Sequence, residues 1–526
     1  MINNYKRSIG KTQYKHYMFI ALLLTVIATI GIKIDFDLLK IVGGIPSMYN
    51  LVERMFNPNW SYASEVFSKL LETINIAVVS SIAGVSLSVP FSLLAARNIA
   101  PNHIVSVLLN SFFSLLRTIP NLIWAALLVS VFSIGKLPGT VALTITALLV
   151  SLKLLKENIE TINSNLIDSV KSTGANQLQV LRYCVLPTIS ERITSIFFMV
   201  FEINIRSATV LGLVGAGGIG QIMWRDLNHL RYDNLATLVL ILFLTILSID
   251  SLSFFTREGL KHKFVIHKSV ESYQRFRQYK NYGLLALLIS IILLNINMIT
   301  ISTERMRVGL EQGLIIINGM MSPDITYLPK LFEGLTTSFF IAIFATIVGA
   351  INALALTFFA AYNTSPSKIV SIFTKIMINV LRTFPPIVTA IIFFRGVGPG
   401  PLAGALALSL YTTGVLTKLY SEVVESVHEN IKNSIAITGS SNICCYRHGI
   451  LPETYTMFLS LALYRLESNI RNSTILGIIG AGGIGTILAM NISWRNWDRV
   501  GILILGVSMM IISIDTISQY IRKKVL

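Results

Sequence analysis

The chain has 526 residues, 53% of them hydrophobic and only 13% charged, with 43 lysines and arginines against 26 acids for a formal net charge of +17. Its mean hydropathy is +0.68. Soluble chains carry about 25% charged residues, so a soluble globular protein is excluded, and apolar runs long enough for about 30 Å of hydrocarbon recur throughout. In chain order they read as spans near 18–34, 66–96, 104–134, 139–156, 192–213 and 235–255, then again near 282–301, 331–361, 367–394, 401–420, 457–478 and 500–519. Lipid cannot satisfy open backbone, so the expected class is an all-α polytopic membrane protein with six spans in each half.

Nearly the same text is written twice, 265 positions apart. Arg117-Thr118-Ile119-Pro120 returns as Arg382-Thr383-Phe384-Pro385, and Glu202 and Arg206 return as Glu467 and Arg471. A period this long is a duplicated domain, not a solenoid unit. Residues 1–256 are expected to form the first domain, 257–281 a basic linker, and 282–526 the second, related by pseudo-two-fold symmetry.

The basic residues are a topology signal and not a nucleic-acid patch. Lys6, Arg7, Lys11 and Lys15 precede the first span, Arg257 to Lys280 supply the linker, and Arg522, Lys523 and Lys524 close the chain. Six crossings per half put all three segments on one side, and the positive-inside rule makes that side the cytoplasm. The long polar lead before the first span reads against a cleaved signal peptide. Cys184, Cys444 and Cys445 fall in loops on the same side, where thiols stay reduced, and their spacing offers no metal ligand set.

Between the fourth and fifth spans of each half lies a partly polar segment, Asp168 to Pro187 and Asn433 to Pro452. Each reads as helix, glycine break, short amphipathic helix and proline stop, with Gly174 ahead of Leu186-Pro187 and Gly439 ahead of Leu451-Pro452. This pattern resembles the EAA loop of permease subunits of binding-protein-dependent ABC importers. The words Leu94-Ala95-Ala96-Arg97-Asn98, Ser172-Thr173-Gly174-Ala175 and Ala208 to Gly220 are most similar to the permeases of phosphonate importers, over nearly all of both copies. Two departures from the pattern are Asn433 where the first copy has Asp168, and Cys184 and Gly449 where an aliphatic residue is usual.

The resemblance implies that each loop docks on a cytoplasmic ATPase through Asp168, Gly174, Ala175, Arg182, Leu186 and Pro187, and through Gly439, Arg447, Leu451 and Pro452. It implies two ATPase subunits and an extracytoplasmic solute-binding protein as partners, with no cofactor. That family supplies one copy per polypeptide; here a single fused chain would replace the permease dimer.

Three further constellations bear on the pathway. Gly215, Gly217, Gly218 and Gly220, repeated as Gly480, Gly482, Gly483 and Gly485, look superficially like a dinucleotide fingerprint, but a span and not a strand precedes them. They serve either re-entrant packing or a flexible outer gate. Glu202 with Arg206 and Glu467 with Arg471 share helix faces, and charges at membrane depth pair or line a path. Arg117 and Arg382 sit midway into spans that Pro120 and Pro385 break; exposed amides beside a guanidinium suit an oxyanion, though the break is equally a fold element.

No phosphate-loop motif, metal-ligand spacing or nucleophile elbow occurs, so ATP hydrolysis is expected in a partner chain. The leading expectation is a permease passing phosphonate or a related organophosphate or oxyanion. The alternatives are an importer permease for another small solute, or an ion-gradient-driven transporter, which usually carries inverted repeats and coupling-ion carboxylates.

Overall fold

The computed structural model describes residues 25, 28–261, 303–383 and 385–525, and every regular element among them is helical. Of the spans read from the sequence, 18–34 lies mostly outside the described residues and 282–301 wholly so. Seven described helices are long and apolar enough to cross a membrane, or up to ten if each bent pair is one span.

Two compact units are built, one from the described residues of 53–321 and the other from those of 1–52 with 322–526. Compactness therefore divides the chain differently from the sequence repeat. The helix Leu38–Met55 lies mostly with the unit of the second half, and Thr303–Met320 with that of the first. Phe36 packs on Phe344 with ring centroids 5.6 Å apart, and Gly44 lies against Gly396. Within the unit of 53–321, Gly309 meets Phe132. Neither helix was among the spans read from the sequence, because nothing local says which half a short helix will join.

In the unit of 53–321, Ala63–Ala95 runs against Lys136–Glu160, and Leu186–Leu211 packs on both. Lipid tails are as apolar as leucine, so such helices associate through small residues and buried polar contacts. Asn204 Nδ2 donates to Ser80 Oγ at 3.2 Å and Ser81 Oγ at 2.8 Å. Bonds of this kind average about 0.6 kcal/mol in a bilayer. The Ser81 hydroxyl itself donates to the Ala77 carbonyl at 2.6 Å, so this hydroxyl is not stranded.

The second unit repeats the scheme with Leu328–Ala360, Pro401–Glu425 and Leu451–Leu476. There Asn469 Nδ2 donates to Thr346 Oγ1 at 2.9 Å, and its Oδ1 accepts from Thr412 Oγ1 at 3.1 Å.

The span read at 104–134 is two helices, His103–Thr118 and Asn121–Phe132, bent by 84°. Pro120 causes the break: it lacks an amide, and its ring drives the preceding residue out of the helical region. Ile119 accordingly takes φ −78°, ψ 118°. The span read at 367–394 divides by the same 84° between 368–382 and 386–397, with Pro385 at φ −57°, ψ 140°.

Candidate functional site

Helix Ser164–Lys171 ends toward Gly174, whose φ is +80°; Gly439 matches it at +78°. Nothing stands within 4 Å of a Cβ placed on either. Left-handed backbone and not crowding is what demands glycine here. Beyond Gly174 the helix Gln177–Val180 starts with a reciprocal cap: Asn176 Oδ1 accepts the Gln179 amide at 2.9 Å, and Gln179 Oε1 accepts the Asn176 amide at 2.8 Å.

The expected proline stop is not there. The chain continues through a π turn, Leu181–Val185, straight into Leu186–Leu211. The Leu186 amide reaches back to the Leu181 carbonyl, widening the turn ahead of Pro187, which occupies the first turn of the long helix. Proline is well tolerated at that position because early amides lack helical acceptors. Tyr446–Ile450 and Pro452 repeat the device, the Leu451 amide bonding the Tyr446 carbonyl.

One face of the loop is buried and the other is free. Ile167, Val180, Cys184, Val185 and Ile189 pack with Ala96, Ile99 and Ile159. Asn98 Nδ2 donates to the Ile159 carbonyl at 2.7 Å, and Glu160 Oε1 accepts the Arg97 amide at 3.1 Å. Asn363 and Glu425 do the same for Val424 and Tyr362, at 2.7 and 3.0 Å. These anchors were missed in the sequence, although Asn98/Asn363 and Glu160/Glu425 recur in register.

Burial pushes the Cys184 thiol pKa up, which keeps it protonated and inert. Gly449 takes its place in the second copy, where a Cβ would come within 2.7 Å of Ile435 Cδ1.

Asp168 and Arg182 are exposed with Leu178 (75%) and Tyr183 (67%), and the Arg182 guanidinium lies 5.7 Å from the Tyr183 ring centroid. Asn433, Arg447, Ile437 and Ile443 are exposed in the second loop. Each loop thus offers a mixed apolar and charged face, a composition suited to a protein partner.

The glycine runs form tight reversals. Gly215, Gly217 and Gly218 have φ of +86°, +87° and +76°; Gly480, Gly482 and Gly483 have +103°, +74° and +74°. After them the short helices Ile219–Asn228 and Ile484–Ser493 set off, the second bent by 61° from its predecessor. Gly220 and Gly485 sit where a Cβ would be 2.1 and 2.0 Å from the carbonyl oxygens of Thr209 and Thr474. The amides that open these helices are capped from another helix: Ile219 by Thr73 Oγ1 at 2.8 Å, Gly218 by Glu72 Oε1 at 3.0 Å, and Ile484 by Ser338 Oγ at 2.9 Å.

The paired charges meet as their spacing predicts. Arg206 Nη2 donates to Glu202 Oε1 at 2.9 Å, and Arg471 pairs with Glu467. Arg117 and Arg382 end the half-spans before the proline breaks, both partly buried. In the first copy Asn121 Nδ2 donates to Ser207 Oγ at 3.1 Å, so the Pro120 break and the Arg206 turn are held together. Pro386 and Asn472 stand at the matched positions of the second copy.

A family described as the binding-protein-dependent transport system inner membrane component matches residues 88–263 and 353–526. The chain belongs to this family. Both copies carry the family's domain, and the chain is a multi-pass inner-membrane permease, a transport subunit of an ABC importer.

Among curated relatives, the phosphate-import permease protein PhnE of Mycolicibacterium smegmatis is 28% identical over 497 residues, covering 93% of this chain and 91% of its own. The phosphite transport system permease protein PtxC of Stutzerimonas stutzeri is 30% identical over 41% of this chain and 82% of its own. A putative cryptic phosphonate transport system permease protein, PhnE2 of Escherichia coli, is 37% identical over 22% of this chain and 97% of its own.

Proposed function

We propose that this permease carries a phosphorus oxyanion (phosphonate, phosphite or phosphate) and that one fused chain supplies both halves of the translocation pathway. The observation that carries the reading is the pair of glycine-bent loops, in register at Gly174 and Gly439, each with a buried anchoring face and a free one. Relatives matching most of their own length are named for phosphate and phosphite, which supports the solute class.

In this reading Asp168, Gly174, Ala175, Arg182, Leu186 and Pro187 seat one ATPase subunit. Gly439, Arg447, Leu451 and Pro452 seat a second. Both termini and the 257–281 linker are cytoplasmic, as the distribution of lysine and arginine directs. A binding protein on the opposite face delivers the solute, and the cycle of ATP binding and hydrolysis by the ATPase pair drives alternation between outward and inward access.

Arg117, Arg206, Arg382 and Arg471 favour an anion along the path, and the glycine reversals lie at its outer end. The test is stoichiometry by native mass: one permease chain with two ATPase subunits. A complex holding two permease chains would refute the fused arrangement.

A further inference from the structure

The two copies part company at one buried position. Arg465 lies on the helix Leu451–Leu476, about 21 Å along the axis from Leu451 at 1.5 Å per residue. Its side chain is only 7% exposed. The first copy has Val200 there. Beneath the guanidinium lies Tyr411, its ring centroid 4.7 Å from Cζ; the first copy has Thr146 in its place. Both members of the contact therefore differ together between the copies.

Compensation of this charge is incomplete. Arg465 Nη1 donates to Ser468 Oγ at 3.3 Å, while Nε and Nη2 are buried with no hydrogen-bond partner among the described residues. Glu467, the nearby acid on the same helix, is engaged by Arg471. A guanidinium at membrane depth without a counter-ion is expensive, and leaving two of its donors dry adds to the cost.

The pattern of unpaired donors is chemically specific, and their edge is closed to solvent in this structure. Nε–H and one Nη2–H point the same way from one edge of the planar group, and that edge is the fork that grips two oxygens of a single oxyanion. Stacking on Tyr411 fixes the plane of the fork, and the Ser468 contact occupies the other nitrogen.

We propose that the Nε/Nη2 edge of Arg465 is a binding subsite for a tetrahedral oxyanion, present in the second copy alone, that holds the solute in transit. This deepens the phosphorus-oxyanion reading above and rests on it. The first copy makes no equivalent contact, so the two halves of the pathway are chemically unequal although their folds repeat. Charge, planarity and the free fork select against neutral and zwitterionic solutes.

The test uses the full chain in phosphatidylcholine nanodiscs, with inorganic phosphate as the probe at constant ionic strength set by chloride. The unfolding midpoint of the parental chain should rise to saturation with phosphate. Arg465→Met should weaken that response about tenfold or more, the size expected for losing a charge-assisted bond. Tyr411→Phe, which keeps the stacking ring, should retain it.

A folding control is available within the chain itself: Arg465→Val with Tyr411→Thr copies the Val200 and Thr146 pair that the first copy uses, and it too should lose the response. An equal phosphate response in the parental and Arg465→Met chains, or no saturable response in either, would overturn the subsite. So would a parental midpoint that follows phosphatidylglycerol content and ignores phosphate, which would make the occupant a lipid headgroup. In the assembled transporter, parental uptake by Arg465→Met would remove the site from the pathway while leaving the importer reading standing; absence of phosphorus-oxyanion uptake by the parental complex would sink that reading itself.

Discussion

Thr73 caps the helix that begins at Ile219, its Oγ1 accepting the Ile219 amide at 2.8 Å from an element 146 residues away in sequence. The matched contact in the second copy runs from the Ile484 amide to Ser338 Oγ at 2.9 Å. In the first copy Glu72 adds a second acceptor for Gly218, whereas Thr337, the residue matched to Glu72, gives its hydroxyl to the Glu333 carbonyl. The first reversal is doubly tied and the second singly.

Losing an N-cap acceptor costs about 1 kcal/mol. Ser338→Ala should therefore speed amide exchange over 480–493 more than Thr73→Ala speeds it over 215–228. Hydrogen exchange on the detergent-solubilised chain decides the matter. Equal effects would show that Glu72 adds nothing.

The glycine-bent loops, proposed to seat the ATPase subunits, make a different demand. A Cβ at Gly174 or Gly439 meets no atom within 4 Å, but a valine there must adopt a left-handed backbone at a cost of about 1–2 kcal/mol. Gly174→Val and Gly439→Val should each lower solute-stimulated ATPase activity of the assembled complex while leaving solute binding by the binding protein unchanged. With Asp168 exposed in the first loop and Asn433 in the second, Gly174→Val should be the more damaging. Full activity from both variants would remove these loops from coupling.

Arg206 and Arg471 test whether charge guides the solute. Arg206→Met alone removes the ion pair with Glu202, and the resulting loss of stability would confound folding with transport. The matched neutral changes, Glu202→Gln with Arg206→Met and Glu467→Gln with Arg471→Met, remove both charges. Variants carrying them should express normally and take up solute several-fold more slowly. Uptake at the parental rate would make both pairs structural.

Sidedness has its own check. With the native cysteines replaced, a cysteine introduced at Val270 in the linker should react with a membrane-impermeant maleimide only after inside-out vesicles expose the cytoplasmic face. Labelling of intact cells at that position would reverse the topology.

Much of this architecture was legible in the residues. The 265-residue repeat, the long apolar runs and the proline breaks each act through local physics, which one stretch of sequence carries by itself. The glycine bends were legible for the same reason, since left-handed backbone leaves glycine as its mark. What the sequence hid depends on distant partners. The exchange of Leu38–Met55 and Thr303–Met320 between units, the Asn98 and Asn363 anchors and the Thr73 and Ser338 caps are all contacts across long separations. Arg465 carries no mark in the repeat, since Val200 stands at the matched position. The proline stop was misread because a π turn lets Pro187 open a helix where an isolated motif suggests it ends one.

Under the proposed function, this single chain supplies both membrane-spanning halves of an ATP-driven importer for a phosphorus oxyanion. The most direct measurement is uptake into proteoliposomes holding the chain and its ATPase, with the binding protein and labelled phosphonate or phosphate outside and ATP within. Accumulation should require ATP, the ATPase and the binding protein together, and should persist when ion gradients are collapsed. Accumulation driven by an ion gradient without the ATPase would contradict the proposed function.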